Sequence, residues 1–291
     1  MQTKRARMRR VHRVAAACGL LAVAACATGQ ARAGPGTAPP QSTAGAAQPS
    51  ATPVVTSVTP SPSPSPTHRR RSLAGDVVVI DPGHNGGNAA HPEIINQLVN
   101  VITERKACDT AGTETDAGYP EHAFSFDVAT RLAALLRKKG AKVVLTRSTD
   151  TGVGPCVTQR AAIGNRVHAD VAISIHADGG PPGGSGFEVI EPGLVPGYTD
   201  KIVAPSRRLG LDVRDAYHSI AGEPYSDYIG VRGLDVRTDL GGLNLSRVPK
   251  VFIECANMRN SRDAALLTSP AFRERAARAL AAGITAFLQG H

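Results

Sequence analysis

The sequence predicts an α/β fold, in which a single domain contains a mixed, mostly parallel sheet flanked by helices on both faces. Short runs of apolar, mainly β-branched residues have the pattern of strands that are buried on both faces. Amphipathic helical patterns lie between these runs, and strands that alternate with helices favour a layered sheet. Residues 76–291 are numerous enough to enclose one sizeable core, so a second domain is not required.

The chain begins with a basic segment and a short apolar run. Residues 1–13 are rich in arginine, and the apolar run at residues 14–25 is only 12 residues long. Because a membrane-spanning helix needs about 20 residues, this pattern indicates an export signal. The run ends in Val-Ala-Ala-Cys at residues 23–26, which resembles the lipobox of bacterial lipoproteins. We therefore expect residues 1–26 to be a signal peptide and Cys26 to carry a lipid anchor; cleavage without lipidation is the alternative.

Residues 27–75 are predicted to be a disordered tether. They are rich in Pro, Ser and Thr, and nine prolines fall between residues 27 and 72. Such a composition cannot bury enough apolar surface to fold. A tether would let a membrane-anchored domain reach a distant substrate, and a plain solubilising spacer explains the composition equally well.

The positive charge of the chain is confined to its N-terminal part. The formal net charge is +9, but residues 1–75 contain ten basic and no acidic side chains. The remainder has 33 − 10 = 23 basic against 24 acidic residues, so no nucleic-acid partner is expected. The absence of Trp argues against a sugar-stacking carbohydrate module. We expect an exported, monomeric protein of the cell envelope without an obligate protein partner.

Five short apolar runs predict the strands of the sheet. Each is apolar at consecutive positions, as strands covered on both faces are. In chain order they lie at residues 77–80, 142–146, 171–175, 187–190 and 251–253.

Three amphipathic patterns predict helices between and after these strands. In the first, Phe124 and Val128 begin an apolar face, and basic residues precede a terminal Gly140. The second helix covers residues 157–167. The third begins at Ser269, an N-cap residue that is followed by proline.

Three of the five cysteines belong to the predicted domain. Cys108 and Cys156 lie in loop-like stretches, whereas Cys255 follows an apolar run. Because exported proteins meet an oxidising environment, we expect a Cys108–Cys156 disulfide and a free, buried Cys255. The spacings match no zinc–cysteine pattern.

Chemically active side chains follow three of the predicted strands. The first strand runs into His84, the central strand ends at His176, and the last ends at Glu254. In open α/β sheets, ligands gather at the carboxyl ends of the strands. Glycines beside both histidines leave room for a ligand. These three side chains are therefore predicted to converge.

Two imidazoles and a carboxylate, with a position left for water, form the usual zinc site of a hydrolase. Such a site also needs a second carboxylate as general base and acid. A lone histidine at a strand end is more often a satisfied core residue, so the prediction rests on the joint placement. Spacing alone does not choose the ligand carboxylate, for which the candidates are Glu93, Glu104, Glu114, Glu121, Glu188 and Glu254.

Six short motifs occur along residues 76–290. In chain order they are Val79-Ile80-Asp81-Pro82-Gly83-His84, Glu121 ahead of an amphipathic helix, Leu145-Thr146-Arg147, Arg160 with Asn165, Ser174-Ile175-His176-Ala177, and Ile253-Glu254 with Asn257 and Asn260. With these motifs the chain resembles the zinc-dependent N-acetylmuramoyl-L-alanine amidases, which cleave peptidoglycan. The resemblance implies one zinc ion per chain and peptidoglycan or muropeptides as substrate.

The resemblance also implies the role of each site residue. His84, Glu121 and His176 would be the zinc ligands, and Glu254 would be the catalytic general base and acid. The reaction would hydrolyse the amide between N-acetylmuramic acid and L-alanine, in cell-wall turnover, remodelling or daughter-cell separation. The alternatives are an inactive peptidoglycan-binding lipoprotein and a zinc hydrolase of another cell-wall amide.

The chain departs from the common pattern of this family at three places. The 36 residues at 85–120 are a longer insertion, Asp178 stands where Asn is common, and the late motif lacks Gly-Phe. These features resemble the periplasmic amidases of actinobacteria. The insertion would form either a lid beside the metal or a surface loop without regulatory effect.

Three further residues are predicted to bind the substrate. They are Arg147, Asn257 and Arg259. Because stem peptides carry carboxylates, the arginine candidates for lining the groove are Arg147, Arg160, Arg232 and Arg259. For the arginines, ion pairing within the protein is the alternative.

Overall fold

The computed structural model describes residues 72–290. The predicted signal peptide, Cys26 and the tether up to residue 71 lie outside the described residues. Leu73 is buried in the main core, so packed structure begins three residues before the predicted domain start at residue 76. Within the described part, none of the helices is both long and apolar enough to cross a membrane.

The sheet and its helices alternate along the described chain. The strands are β1 (Val77–Pro82), β2 (Leu98–Asn100), β3 (Arg105–Ala107), β4 (Lys142–Leu145), β5 (Val171–Asp178), β6 (Glu188–Pro192), β7 (Leu234–Arg237) and β8 (Lys250–Asn257). The α-helices are α1 (Pro92–Ile95), α2 (Glu121–Lys138), α3 (Val157–Arg166), α4 (Val203–Ala216), α5 (Gly241–Asn244), α6 (Ser261–Thr268) and α7 (Pro270–Gln289).

Six strands form one mixed sheet in the order β4-β1-β5-β8-β6-β7. Neighbours from β4 to β8 are parallel; β6 is antiparallel to β8 and parallel to β7. The predicted fold class, a mixed and mostly parallel sheet in one domain, is confirmed. All five predicted strands and all three predicted helices are present, whereas β7, α4 and α6 were not predicted.

Different helices cover the two faces of the sheet. Alternate side chains of β1 project from opposite faces of the sheet: Val78 and Ile80 belong to the main core, and Val79 belongs to a smaller hydrophobic cluster on the other face. Helices α2, α4 and α7 pack on the main-core face, and α3 and α5 lie on the other. The carboxyl ends of β1, β5 and β8 meet at one edge, where their loops diverge.

The long insertion forms a small antiparallel hairpin from β2 and β3. Its turn is fixed to the loop before α5, because the Asn244 side chain donates to the carbonyls of Val101 (2.9 Å) and Thr238 (2.7 Å). A disulfide between Cys108 and Cys156 joins the insertion to the start of α3. The predicted disulfide is confirmed, as is the free, buried state of Cys255.

Removing the disulfide should destabilise the domain. We expect Cys108→Ser combined with Cys156→Ser to lower the free energy of unfolding by about 2–4 kcal/mol, since the bridge closes a long loop in the unfolded chain. Urea unfolding measures the change, and wild-type protein treated with a reductant should shift to a similar midpoint. Equal midpoints for oxidised and reduced wild-type protein would contradict the expectation.

Candidate metal centre and active site

Three side chains from separate segments meet at the carboxyl edge of the sheet. His84 lies just beyond β1, Glu121 is the first residue of α2, and His176 lies near the carboxyl end of β5. One potential ligand atom of each lies within 4.8 Å of the other two. The structure thus brings together the two predicted histidines and one of the six candidate glutamates.

The Glu121 carboxylate lies between the two imidazoles. Its Oε2 is 3.1 Å from Nε2 of His84, and its Oε1 is 2.8 Å from Nδ1 of His176. Glu121 is buried, and the backbone N–H of Thr113 also donates to Oε2 at 2.9 Å. A buried carboxylate held by two histidines is a donor set that suits a divalent cation.

Two glycines leave the space that this cluster needs. A Cβ at Gly83 would lie 2.1 Å from Cε1 of His176. A Cβ at Gly112, where φ is +83°, would lie 2.8 Å from Cδ2 of His84 and 2.9 Å from Oε2 of Glu121. Larger residues at either position would displace a member of the cluster.

A network of hydrogen bonds holds the loop that carries His84. His84 itself has φ +57°, an uncommon conformation for a residue with a side chain. The buried Arg160 donates to the carbonyls of Pro82 (2.7 Å) and His84 (3.0 Å). On the imidazole, Nδ1 lies 3.0 Å from the carbonyl oxygen of Thr110, which leaves Nε2 directed to Glu121. Orienting contacts of this kind typically support metal-ligating histidines.

Two buried cations, Arg160 and Lys250, are neutralised by buried acids. Arg160 pairs with Asp81 and Asp109, each at 3.0 Å, and Lys250 pairs with Asp81 at 3.1 Å. Burial alone would raise the pKa of Asp81, but Lys250 and Arg160 hold that pKa well below its usual value. Asp81 therefore remains ionised and joins β1, α3 and β8 beneath the site.

The charges of the cluster are strongly coupled. Burial opposes ionisation of Glu121, yet the neighbouring His84 and His176 lower the pKa of this carboxyl. Burial also acts to lower the pKa of His84, but Glu121 and Asp109 outweigh it and raise that pKa to about 10. For His176, burial prevails and the pKa is lowered.

Glu254 lies on the wall of the same cleft. The cleft encloses about 440 Å³, and it is also bordered by the insertion and α5. Burial raises the pKa of Glu254 well above its usual value, and the charges of Glu121 and Asp178 add to the rise. Glu254 is opposite His176 in the β5–β8 pairing, and its Oε2 is buried without a hydrogen-bond partner among the described residues.

Two of the three predicted substrate-binding residues are engaged within the protein. Arg147 is buried, and it donates to the carbonyls of Pro82 (3.1 Å) and His122 (2.9 Å). The Asn257 side chain is buried and donates to the carbonyls of Pro181 (2.8 Å) and Gly184 (2.9 Å).

Both side chains donate to backbone carbonyls and so support loops next to the site. Arg259 remains half exposed, where its Nε lies 3.3 Å from Asp116 of the insertion. Arg259 is therefore the one of the three predicted residues whose side chain reaches solvent.

Several residues that shape the site were not predicted. Phe252 stacks on the His176 ring, with 3.9 Å between centroids, and Asp109 and Thr110 orient His84. Lys106 of the insertion borders the cleft and contacts Asp239 at 2.7 Å. Phe252 stands two residues before Glu254 on the same strand, a period-2 signal that predicts a shared face.

Comparisons with known proteins agree with this geometry. The family Amidase_3, described as N-acetylmuramoyl-L-alanine amidase, matches residues 78–286. The N-acetylmuramoyl-L-alanine amidase Rv3717 of Mycobacterium tuberculosis is 40% identical over 217 residues, which is 75% of this chain and 88% of that protein.

Solved structures show the same similarity. The N-acetylmuramyl-L-alanine amidase Ami1 of Mycobacterium smegmatis is 40% identical, with a TM-score of 0.71 over 76% of this chain and 100% of that one. Ami1 of Mycobacterium abscessus is 41% identical, with a TM-score of 0.70 over 74% and 100% of the two chains. The chain belongs to the Amidase_3 family of N-acetylmuramoyl-L-alanine amidases.

Proposed function

We propose that this protein is a zinc-dependent hydrolase of peptidoglycan. It would cleave the amide between N-acetylmuramic acid and L-alanine of the stem peptide. The observation that carries the proposal is the pairing of a His-Glu-His cluster with a second, separately held carboxylate on the wall of one cleft. Membership of the amidase family supports the choice of substrate.

The residues of the cluster fit a zinc ion. Two nitrogen donors and one carboxylate oxygen are the usual protein ligands of a hydrolytic zinc, and Glu121 is buried between the histidines as a ligand would be. His84, Glu121 and His176 would hold the ion. When bound, zinc would polarise the scissile carbonyl and lower the pKa of water.

Glu254 is suited to transfer a proton from the attacking water to the leaving amine. Its Oε2 has no hydrogen-bond partner within residues 72–290, and its raised pKa brings it towards the range in which a carboxyl both accepts and returns a proton. Glu254 would take a proton from the attacking water and give it to the departing alanine amine. The strand pairing with His176 keeps it beside the cluster without making it a ligand.

The insertion supplies one wall of the cleft. Val101, Lys106 and Thr110 border it, and the hairpin is fixed at its turn and by the disulfide. This favours a fixed wall that selects the substrate over a freely moving lid. The leader and its Cys26 would place the enzyme in the cell envelope, with a lipid anchor at the outer face of the membrane.

Product analysis tests the proposed activity. Zinc-loaded protein should release free stem peptide with a new L-alanine amino terminus from muropeptides, as detected by mass spectrometry. Chelation should abolish the release and added zinc should restore it. Acetate as the product would indicate a deacetylase, and retention of intact muropeptide without cleavage would indicate a binding protein.

The lack of a side chain at Gly112 should be required for tight zinc binding. We expect Gly112→Ala to weaken zinc binding by about 10- to 100-fold, because the new methyl group would displace His84 or Glu121. Gly118→Ala is the matched control, since Gly118 has a similar φ of +80° but open space around its Cα. Titration with a competing chelator measures both, and equal affinities in the two variants would contradict the expectation.

A further inference from the structure

A second cavity borders the catalytic cleft and has no place in the proposed reaction. It encloses about 480 Å³, which is within the range of about 300–1,000 Å³ that is typical of ligand sites. Three segments separate it from the cleft: the end of β2, the first turn of α3, and α5. In each segment, one residue borders the cleft and its neighbour in the sequence borders the second cavity: Val101 and Asn100, Val157 and Thr158, and Leu243 and Asn244. The two cavities therefore share a wall.

An exposed tyrosine is held rigidly at the second cavity. Tyr198 is 53% exposed, and its side chain makes no hydrogen bond or ring contact within residues 72–290. The loop that carries it is fixed by the buried Thr199, whose Oγ1 donates to the carbonyl of Gly193 (2.8 Å) and accepts from the N–H of Val195 (2.7 Å). A tyrosine ring supplies a large contact area at a low cost in conformational entropy. Tyr198 is thus a preformed platform for a flat or ring-shaped ligand.

The same cavity has a guanidinium without an acidic partner. Arg247 is exposed, and its side chain forms no ion pair with any residue that the structure describes. Its backbone is anchored on α3, because the Asn165 side chain accepts from the N–H of Arg247 (2.8 Å) and donates to the carbonyl of Leu245 (2.9 Å). Among the described residues, none that borders the cavity is acidic. A guanidinium in such surroundings suits a ligand carboxylate, which it can bind through two hydrogen bonds.

The remaining polar groups of the cavity are uncharged. Asn100 and Thr158 contribute an amide and a hydroxyl. Asn244 is 1% exposed, and its Nδ2 donates to the carbonyls of Val101 (2.9 Å) and Thr238 (2.7 Å), whereas its Oδ1 has no hydrogen-bond partner in the described part of the chain. Amides and hydroxyls both donate and accept, so they match the hydroxyl and acetamido groups of a sugar. Together with the tyrosine and the arginine, they indicate a sugar that carries a carboxylate.

The proposed reaction itself produces such a ligand. Hydrolysis breaks the carbon–nitrogen bond of the amide, and the oxygen of water stays on the lactyl group, which becomes a carboxylate. The glycan strand that remains is a chain of N-acetylated sugars with a carboxylate on each muramic acid that has lost its stem peptide. The cavity shares a wall with the cleft, so a strand bound there would keep its uncut stem peptides close to the site of hydrolysis.

We propose that the second cavity binds the stripped glycan strand, with Tyr198 stacked on a sugar ring and Arg247 paired with a lactyl carboxylate. This inference rests on the proposed function, because the ligand is the product of that reaction. The site is one sugar subsite within the catalytic domain, which a single tyrosine can serve. It is not a separate carbohydrate module, against which the absence of Trp argues.

Two soluble probes test the site by isothermal titration calorimetry on the zinc-loaded protein. One is glycan strands stripped of stem peptides by exhaustive amidase digestion, and the other is N-acetylglucosamine oligomers of similar length, which lack the carboxylate. Wild-type protein should bind the stripped strands about 10-fold more tightly, because only they offer an anion to Arg247. Neither probe contains the scissile amide, so binding is measured without turnover.

Substitutions at the two exposed side chains separate their contributions. Arg247→Gln should bind both probes with equal affinity, since the preference for the carboxylate is lost. Tyr198→Ala should weaken the binding of both probes by about 10-fold, whereas Tyr198→Phe keeps the ring and should stay within about twofold of wild type. Both residues are exposed, so the melting temperatures of these variants should match that of wild type.

Arg208→Gln is the matched control for the loss of a positive charge. Arg208 is exposed on α4, does not border the cavity, and forms no ion pair within the described residues. This variant should retain the preference for stripped strands. Equal loss of the preference in Arg208→Gln and Arg247→Gln would indicate attraction by overall charge and would overturn the site.

The remaining outcomes are equally decisive. Equal binding of the two probes by wild type would overturn the proposal. An Arg247→Gln variant that still prefers the stripped strands would place their carboxylate elsewhere, such as in the catalytic cleft, with the same consequence. Protein that binds stripped strands through Arg247 but releases no stem peptide from muropeptides would instead overturn the proposed function, so the two failures are distinguishable.

Discussion

Glu254→Gln is expected to lower kcat for stem-peptide release by about 100- to 10,000-fold, the usual contribution of a general acid–base group. The amide has nearly the same size as the carboxyl but does not accept a proton from water at neutral pH. Glu254 is not a member of the His-Glu-His cluster, so the variant should keep its zinc. Mass spectrometry of muropeptide digests gives the rate, and metal analysis gives the zinc content.

The structure also predicts that this substitution does not harm the fold. Burial and neighbouring acids already raise the pKa of Glu254, so a neutral group at this position removes an unfavourable charge. We expect the melting temperature to remain at or above that of wild type. Unchanged turnover in a variant with full zinc content would refute the assignment of Glu254 as base.

Loss of a metal ligand should have the second large effect. His84→Ala, His176→Ala and Glu121→Gln are each expected to lower zinc occupancy to near zero under conditions that saturate wild type, and to abolish turnover. Two remaining protein ligands do not hold zinc tightly when three are normally required. Metal analysis after dialysis measures occupancy, and thermal unfolding should show that zinc stabilises wild type but not the variants.

His122→Ala is the matched control for the ligand variants. His122 is adjacent to Glu121 in the sequence, but its Nδ1 lies 2.8 Å from Asp150 and it is not part of the cluster. This variant should keep zinc. Full occupancy in His176→Ala, or loss of zinc in His122→Ala, would contradict the ligand set.

Most of the sheet could be predicted because its central strands are apolar on both faces. β1, β5 and β8 lie at or beside the centre and are covered by helices, so their sequences are continuous apolar runs. β7 was not predicted because it is a short edge strand, in which Val236 is exposed and charged residues alternate. α4 was missed although Leu209 and Val213 have helical spacing, because arginines and a glycine interrupt its apolar face.

Site residues that lie at strand ends could be predicted from the sequence, whereas the one at a helix start could not. His84, His176 and Glu254 follow strands, so their convergence follows from the topology of a parallel sheet. Glu121 opens a helix, and its approach to the histidines depends on how α2 packs, which spacing does not reveal. Only the family resemblance selected it.

For Arg147, the sequence leaves two interpretations open. A guanidinium near a cleft is equally able to bind a ligand carboxylate or to cross-link backbone carbonyls. Which of the two occurs depends on burial, and burial follows from tertiary packing that one sequence does not display. The structure shows Arg147 with its donors bound to carbonyls beneath the His84 loop.

The contacts of Arg160 have a consequence for dissecting the enzyme into smaller pieces. This single side chain, far along the chain on α3, holds the backbone at Pro82 and His84 and pairs with an acid of the insertion. A version with an internal deletion that removes α3 would keep all three metal-binding side chains yet lack the guanidinium that holds the backbone beside them. Shortened versions should therefore be cut at the N-terminal tether and not within the domain.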